Sequence, residues 1–103
     1  MNNFVIATNS DGRVEAFYVD EAKNVAHTWQ IEAGNKLVWS QAEALFGVAG
    51  GSREPLNGAV RVAATTDLRG QIQVVALTEA GEYFICYQTG GVWNGWFKIE
   101  QQQ

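Results

Sequence analysis

The 103 residues include one cysteine, one proline and one histidine, and only seven Lys and Arg against eleven Asp and Glu. A lone cysteine, Cys86, excludes an intrachain disulfide, and no Cys/His set with zinc spacing accompanies it. Cys86 sits in the apolar run YFICY, so its thiol is expected to be buried and inert. The formal charge of -4, the pI near 4.8 and the scattered basic residues oppose a phosphate backbone or an anionic leaflet. Neither nucleic acid nor membrane insertion is therefore expected. No apolar stretch approaches the roughly 20 residues that span a bilayer, and the start MNNFVIATNSDG has neither a basic n-region nor an apolar h-region. The expectation is a soluble protein, cytoplasmic or secreted without a visible signal peptide.

What is present is apolar and repeated. With 47% hydrophobic residues the chain has enough material for one packed domain. Gly12 to Gln30, GRVEAFYVDEAKNVAHTWQ, lies over Gly70 to Gln88, GQIQVVALTEAGEYFICYQ, without a gap. Identities are few (Gly12/Gly70, Glu21/Glu79, Ala22/Ala80, Gln30/Gln88), but residue class is kept at Val14/Ile72, Ala16/Val74, Val19/Leu77 and Trp29/Tyr87. Upstream, VIAT answers VAAT; downstream, Trp39 answers Trp93 and Leu45 answers Ile99. A period of roughly fifty residues belongs to propellers, solenoids or arrays.

Each copy reads as strands separated by turn-formers such as NSDG, DEAKN, TEAGE and TGG. The expected strands are 4–8, 13–19, 25–30 and 37–45, then 60–65, 71–77, 83–88 and 92–100. In the strand 71–77 both faces carry apolar side chains, Ile72, Val74 and Ala76 on one and Val75 and Leu77 on the other. A sheet with one wet face would alternate more cleanly, so each sheet is expected to lie between similar sheets, as the blades of a β-propeller do. The expected fold is all-β: blade repeat 1 at 1–46, an inter-blade linker at 47–59 carrying the only proline, and blade repeat 2 at 60–103. Two blades cannot close a ring, and a head-to-tail homo-oligomer would complete it, six blades from a trimer being favoured over eight from a tetramer. A single closed eight-stranded barrel is the other arrangement these strands allow.

DGRVEAFYVDEAKNVAHTWQ followed by VWSQAEAL resembles the blade motif of bacterial and fungal propeller lectins of the Photorhabdus and Psathyrella type. There a GRLEVF strand leads to an HxWQ strand and then to a GGWxxWxxL turn and strand. The second copy carries the last part as GGVWNGWFKI, with Trp93, Trp96 and Ile99 at the motif spacing. The first copy has Ala42 in place of the second tryptophan, and the second has Ile85 and Tyr87 for histidine and tryptophan. The architecture is also similar to that of two-bladed fucose-binding lectins, whose sugar-binding arginine and glutamate have no clear equivalents here: those strand positions read Glu15 and Gln73, and Ala26 and Phe84. The resemblance implies a multivalent lectin with glycan sites between blades, binding fucosylated or other terminal sugars, and needing no cofactor.

Sugars offer an apolar C–H face that an indole or phenol ring can cover, and hydroxyls that amides, carboxylates or guanidinium groups can hold. The candidate ligand-binding residues are therefore Trp39, Trp93 and Trp96, with Gln30, Gln88, Arg13 and Asn94 for the hydroxyls. Trp29, Tyr87 and His27 read as structural. The acidic residues lie mostly in turns, and no nucleophile–base pattern or phosphate-cradling loop is present, so no catalysis is expected. The alternative to a lectin is a structural or protein-interaction propeller that binds no sugar.

Overall fold

Each unit opens on the same turn. The Asn9 amide donates to the Arg13 carbonyl (2.8 Å) and Gly12 to Asn9 (2.9 Å), as Asp67 donates to Gln71 (2.8 Å) and Gly70 to Asp67 (3.0 Å). Gly12 and Gly70 take φ of 90° and 80°, a region that glycine enters without a Cβ clash. The structure, a computed structural model, describes residues 3–102.

Eight strands follow in chain order: β1 Phe4–Thr8, β2 Val14–Val19, β3 Val25–Trp29, β4 Glu43–Ala44, β5 Ala59–Thr66, β6 Ile72–Thr78, β7 Tyr83–Thr89 and β8 Val92–Lys98. They form two four-stranded antiparallel meanders, β1-β2-β3-β4 and β5-β6-β7-β8, and the described residues contain no helix. Two separate sheets exclude the single closed barrel. No helix is long and apolar enough to cross a membrane.

The expected strand 37–45 differs most, the others agreeing to within one or two residues at their ends. Only Glu43–Ala44 pair as a strand, with an isolated bridge between Gln30 and Trp39 before them. Ser40 is the physical reason, because its hydroxyl competes for the ladder. The Trp29 amide donates to Ser40 Oγ (3.1 Å) and Thr28 Oγ1 donates to the Ser40 carbonyl (2.7 Å). Regular pairing resumes where Leu45 donates to Val25 (2.8 Å), the counterpart of Ile99 donating to Tyr83 (2.8 Å).

The sheets meet through unlike faces. Phe17 and Val25 of the first sheet join Ile72, Val74, Ala76 and Cys86 of the second in one buried cluster. By the repeat, Ile72 and Val74 correspond to Val14 and Ala16, which lie on the other face of the first sheet, in register with Thr8 and Ile6. Phe17 corresponds to Val75, whose row Ala63, Val75, Ile85 and Phe97 is open on the second sheet. Each sheet thus covers one face and leaves its complement free. Phe4 and Ile6 are 60% and 56% exposed on the free face of the first. At one end β1 and β5 are tied side by side, Thr66 Oγ1 donating to the Thr8 carbonyl (2.7 Å) and accepting from the Thr8 amide (3.1 Å).

The connecting segment between Ala44 and Ala59 runs along the outer edge of β8. Gly47 and Arg53 donate to the Gly95 carbonyl (3.2 Å each), and Val48 donates to Trp93 (2.9 Å). Such edge pairing covers main-chain groups that would otherwise invite another strand. It requires bare backbone: a Cβ on Gly47 would lie 2.4 Å from the Gly95 nitrogen, and one on Gly95 2.9 Å from the Cys86 Cα and the Ile85 oxygen.

Two outcomes are expected. Gly95→Ala, which adds that clash at φ 141°, should lower the free energy of unfolding by about 2–4 kcal/mol in urea titrations. Burial pushes the Cys86 thiol up from its ordinary 9.0 to about 12. The folded protein keeps a proton that the unfolded chain releases, so this contribution is intact below pH 9.0 and lost as the pH rises toward 12. Melting temperature should fall over that window, and the native protein at about pH 8 should resist a thiol-specific disulfide reagent that labels the denatured chain.

Candidate functional site

Strand alternation sends Glu15 and Phe17 of β2 and His27 and Trp29 of β3 to the face turned toward the second sheet. The register pairs Glu15 with Trp29, Phe17 with His27, and His27 with Glu43 of β4. Trp93 of β8 meets this row from the other sheet, its ring edge-on to Phe17 (6.0 Å) and to His27 (6.1 Å). The rings of His27 and Trp29 are 4.9 Å apart. Beyond this aromatic cluster the sheets part into a cleft of about 300 Å³, walled by His27, Trp29 and Glu43 on one side and by Trp93 and Gly91 on the other.

A buried polar chain crosses the floor of the cleft. Gln88 of β7 donates through Nε2 to Asn9 Oδ1 (3.0 Å), Asn9 Nδ2 donates to Glu15 Oε1 (3.1 Å), and Glu15 Oε2 lies 2.6 Å from His27 Nδ1. An ionised carboxylate only accepts, so the proton of that last contact sits on Nδ1. The other ring nitrogen, Nε2, lies 3.8 Å from Glu43 Oε1, beyond hydrogen-bond reach. The His27 and Glu15 side chains are 8% and 5% exposed, while that of Glu43 is 65% exposed. At the rim Arg13 Nε holds Asp11 Oδ2 at 2.7 Å. The Arg13 amide first, and then its guanidinium, holds the Asp11 carboxyl below the usual carboxylate range. No group of three or more His, Cys, Asp and Glu side chains among the described residues is arranged to hold a metal ion.

Of the residues expected from the sequence, Arg13, Gln88 and Trp93 come together in this cleft. The other four lie elsewhere. Trp96 is 4% exposed, and its indole N–H donates to the Leu45 carbonyl (3.0 Å), which makes it part of the core. Trp39 stands on the free face of the first sheet, in a hollow with Phe4, Ala16 and Tyr18, and donates to the Lys36 carbonyl (2.9 Å). Asn94 Nδ2 turns back to the Val92 carbonyl (3.0 Å). Gln30 is 5% exposed, and its Oε1 accepts from the Val14 amide (2.7 Å), as Gln88 Oε1 accepts from Ile72 (2.9 Å). The recurring glutamines therefore latch the start of the second strand in each sheet, and Gln88 adds the link to Asn9.

Glu15, His27, Trp29 and Glu43 were not anticipated as a site. A signal for His27 was nonetheless present: the repeat places Ile85 at its position, so the strand itself does not need an imidazole there. Glu43 gave no such signal, because the interrupted β4 hides its register.

No protein-family model matches this chain, and no curated protein matches it.

A second concavity, of about 370 Å³, lies on the second sheet at the repeat-equivalent place. Asp67, Arg69, Gln71, Gln73 and Tyr87 line it where the first cleft has Asn9, Asp11, Arg13, Glu15 and Trp29. The first cleft is closed by the facing sheet with Trp93, whereas the second is open on that side.

The two tryptophans of GGVWNGW should separate in stability measurements. Trp96→Ala should cost about 3–5 kcal/mol, as the loss of a buried aromatic does, and Trp93→Ala less. Gln88→Leu, which orphans the Ile72 amide and breaks the chain to Asn9, should cost about 1–3 kcal/mol by urea denaturation.

Proposed function

We propose that the protein is a carbohydrate-binding lectin whose sugar site is the cleft between its two sheets, and that copies join head to tail into a β-propeller ring. The reading is supported above all by one observation: two half-buried indoles, Trp29 and Trp93, face a common space with Arg13, Glu43 and the His27 edge. This is the combination a sugar needs, rings for its C–H face and fixed polar groups for its hydroxyls. The resemblance of the chain to propeller lectins agrees with it.

Ring closure is supported by the free faces. The Val75 and Ile85 face of the second sheet repeats, position for position, the Phe17 and His27 face that the first sheet buries within the chain. The Ala16 and Tyr18 face of the first sheet repeats the Val74 and Ala76 face that the second buries. A neighbouring copy can therefore be joined by the contact already used inside the chain, and three or four copies would close six or eight blades. That contact would set Trp39 of one copy opposite Tyr87 of the next, just as Trp93 stands opposite Trp29 within the chain. Weak single sites spread around a ring would act together on a glycan-coated surface. No catalysis is part of this proposal.

A glycan array probed with the natively assembled protein should show binding that free monosaccharide competes away, and Trp93→Ala should remove it while leaving the assembly intact. Silence across a broad array would overturn the lectin reading in favour of a structural or protein-binding propeller. Light scattering should give three or four times the 11.3 kDa chain mass, and a monomer would contradict the ring.

A further inference from the structure

Resting on the lectin reading, the charges of the cleft narrow the ligand further: we infer that it takes an amino sugar with a free, protonated amine in preference to a neutral or acidic one. Each charged group of the cleft is hydrogen-bonded to a partner among the described residues except Glu43. Arg13 and Asp11 hold each other at 2.7 Å. Glu15 is used on both oxygens, by Asn9 and by His27. Glu43 is left at the mouth with its carboxylate open, since His27 Nε2 at 3.8 Å is too far to donate to it.

His27 supplies the second, independent observation. Its ring is more than nine-tenths buried and lines the cleft, its Nδ1 is committed to Glu15, and its Nε2 has no hydrogen bond among the described residues. Three carboxylates, Asp11, Glu15 and Glu43, thus face one arginine and one histidine in the cleft, and Glu43 is the one left open to a donor on the ligand. A hydroxyl would serve it. An ammonium serves the carboxylate with a charge-assisted bond and is also attracted to the faces of Trp29 and Trp93, whose rings lie 4.9 Å and 6.1 Å from that of His27. A sugar carboxylate would face Glu43 and Glu15, with Arg13 already paired to Asp11.

The same features are missing from the second concavity. Gln73 stands there for Glu15, Arg69 for Asp11 and Ile85 for His27, and the residue paired with Ile85 is Phe97 where His27 pairs with Glu43. Amine selectivity therefore belongs to the cleft inside the chain, at one site per chain, whatever binds between chains.

Isothermal titration of the assembled protein with glucosamine, N-acetylglucosamine, glucose and glucuronic acid tests this. Glucosamine should bind at one site per chain and about tenfold more tightly than its N-acetyl derivative, and glucuronic acid most weakly. In Glu43→Gln, an exposed edge position, glucosamine and N-acetylglucosamine should come within about twofold of each other. Equal or weaker binding of glucosamine by the wild-type protein would overturn the inference while leaving the lectin reading intact, and no variant is needed for that comparison. A preference that persists in Glu43→Gln would overturn the role of Glu43. Failure to bind any sugar would overturn both readings.

Discussion

A β-sheet with apolar side chains on both faces is stable only when both faces are covered, and this chain contains two of them. The contact it forms internally sets the Phe17 face of one sheet against the Ile72 and Val74 face of the other. By the repeat these are opposite faces of equivalent sheets, so the contact has a direction. A symmetric back-to-back sandwich would have used like faces and left nothing to continue. The directed contact leaves one free face of each kind, and the outer edge of β8 is blocked by the Gly47–Arg53 segment. In the proposed ring copies would join through those free faces, and the covered β8 edge agrees with that.

The cleft follows from the same constraint. Sheets that twist against one another stay in contact only over part of their faces. Where Phe17 gives way to Glu15, apolar packing ends and the chain Gln88–Asn9–Glu15–His27 takes over. Every buried polar atom in that chain has a partner, so the crossing from one sheet to the other is held open at little cost in unsatisfied groups. The outward edge of that network, with His27 Nε2, Glu43 and the two indoles, keeps bonding capacity that is not spent inside the fold. Placement of the groups offered to the proposed ligand is thus a consequence of how the sheet junction solves its own hydrogen bonding.

The strands were legible in the sequence because apolar runs between turn-formers recur at equivalent places in both copies, and the turns because Asn9 to Gly12 and Asp67 to Gly70 share their chemistry. The weak fourth strand was not, since Ser40 breaks the ladder through a side-chain hydrogen bond that leaves no mark on periodicity. The site was legible only in part. Trp93 and Trp96 look alike in a motif, but a bulge at the Ile85/Cys86 position separates their pairings in β8, and one enters the core while the other walls the cleft. Alternation states which residues share a face, not whether that face is covered by the chain's own second sheet. For that reason Trp39 and Trp93, equivalent in sequence, have different surroundings.

Four tryptophans give four indole N–H signals, and following them by ¹H–¹⁵N NMR while a competing monosaccharide is added would test the cleft directly. The account predicts that the Trp29 and Trp93 signals move together and saturate with the ligand, while Trp96, bonded to the Leu45 carbonyl, stays in place. If Trp29 and Trp93 remain unmoved at saturating sugar, the cleft between the sheets is not where this protein binds it.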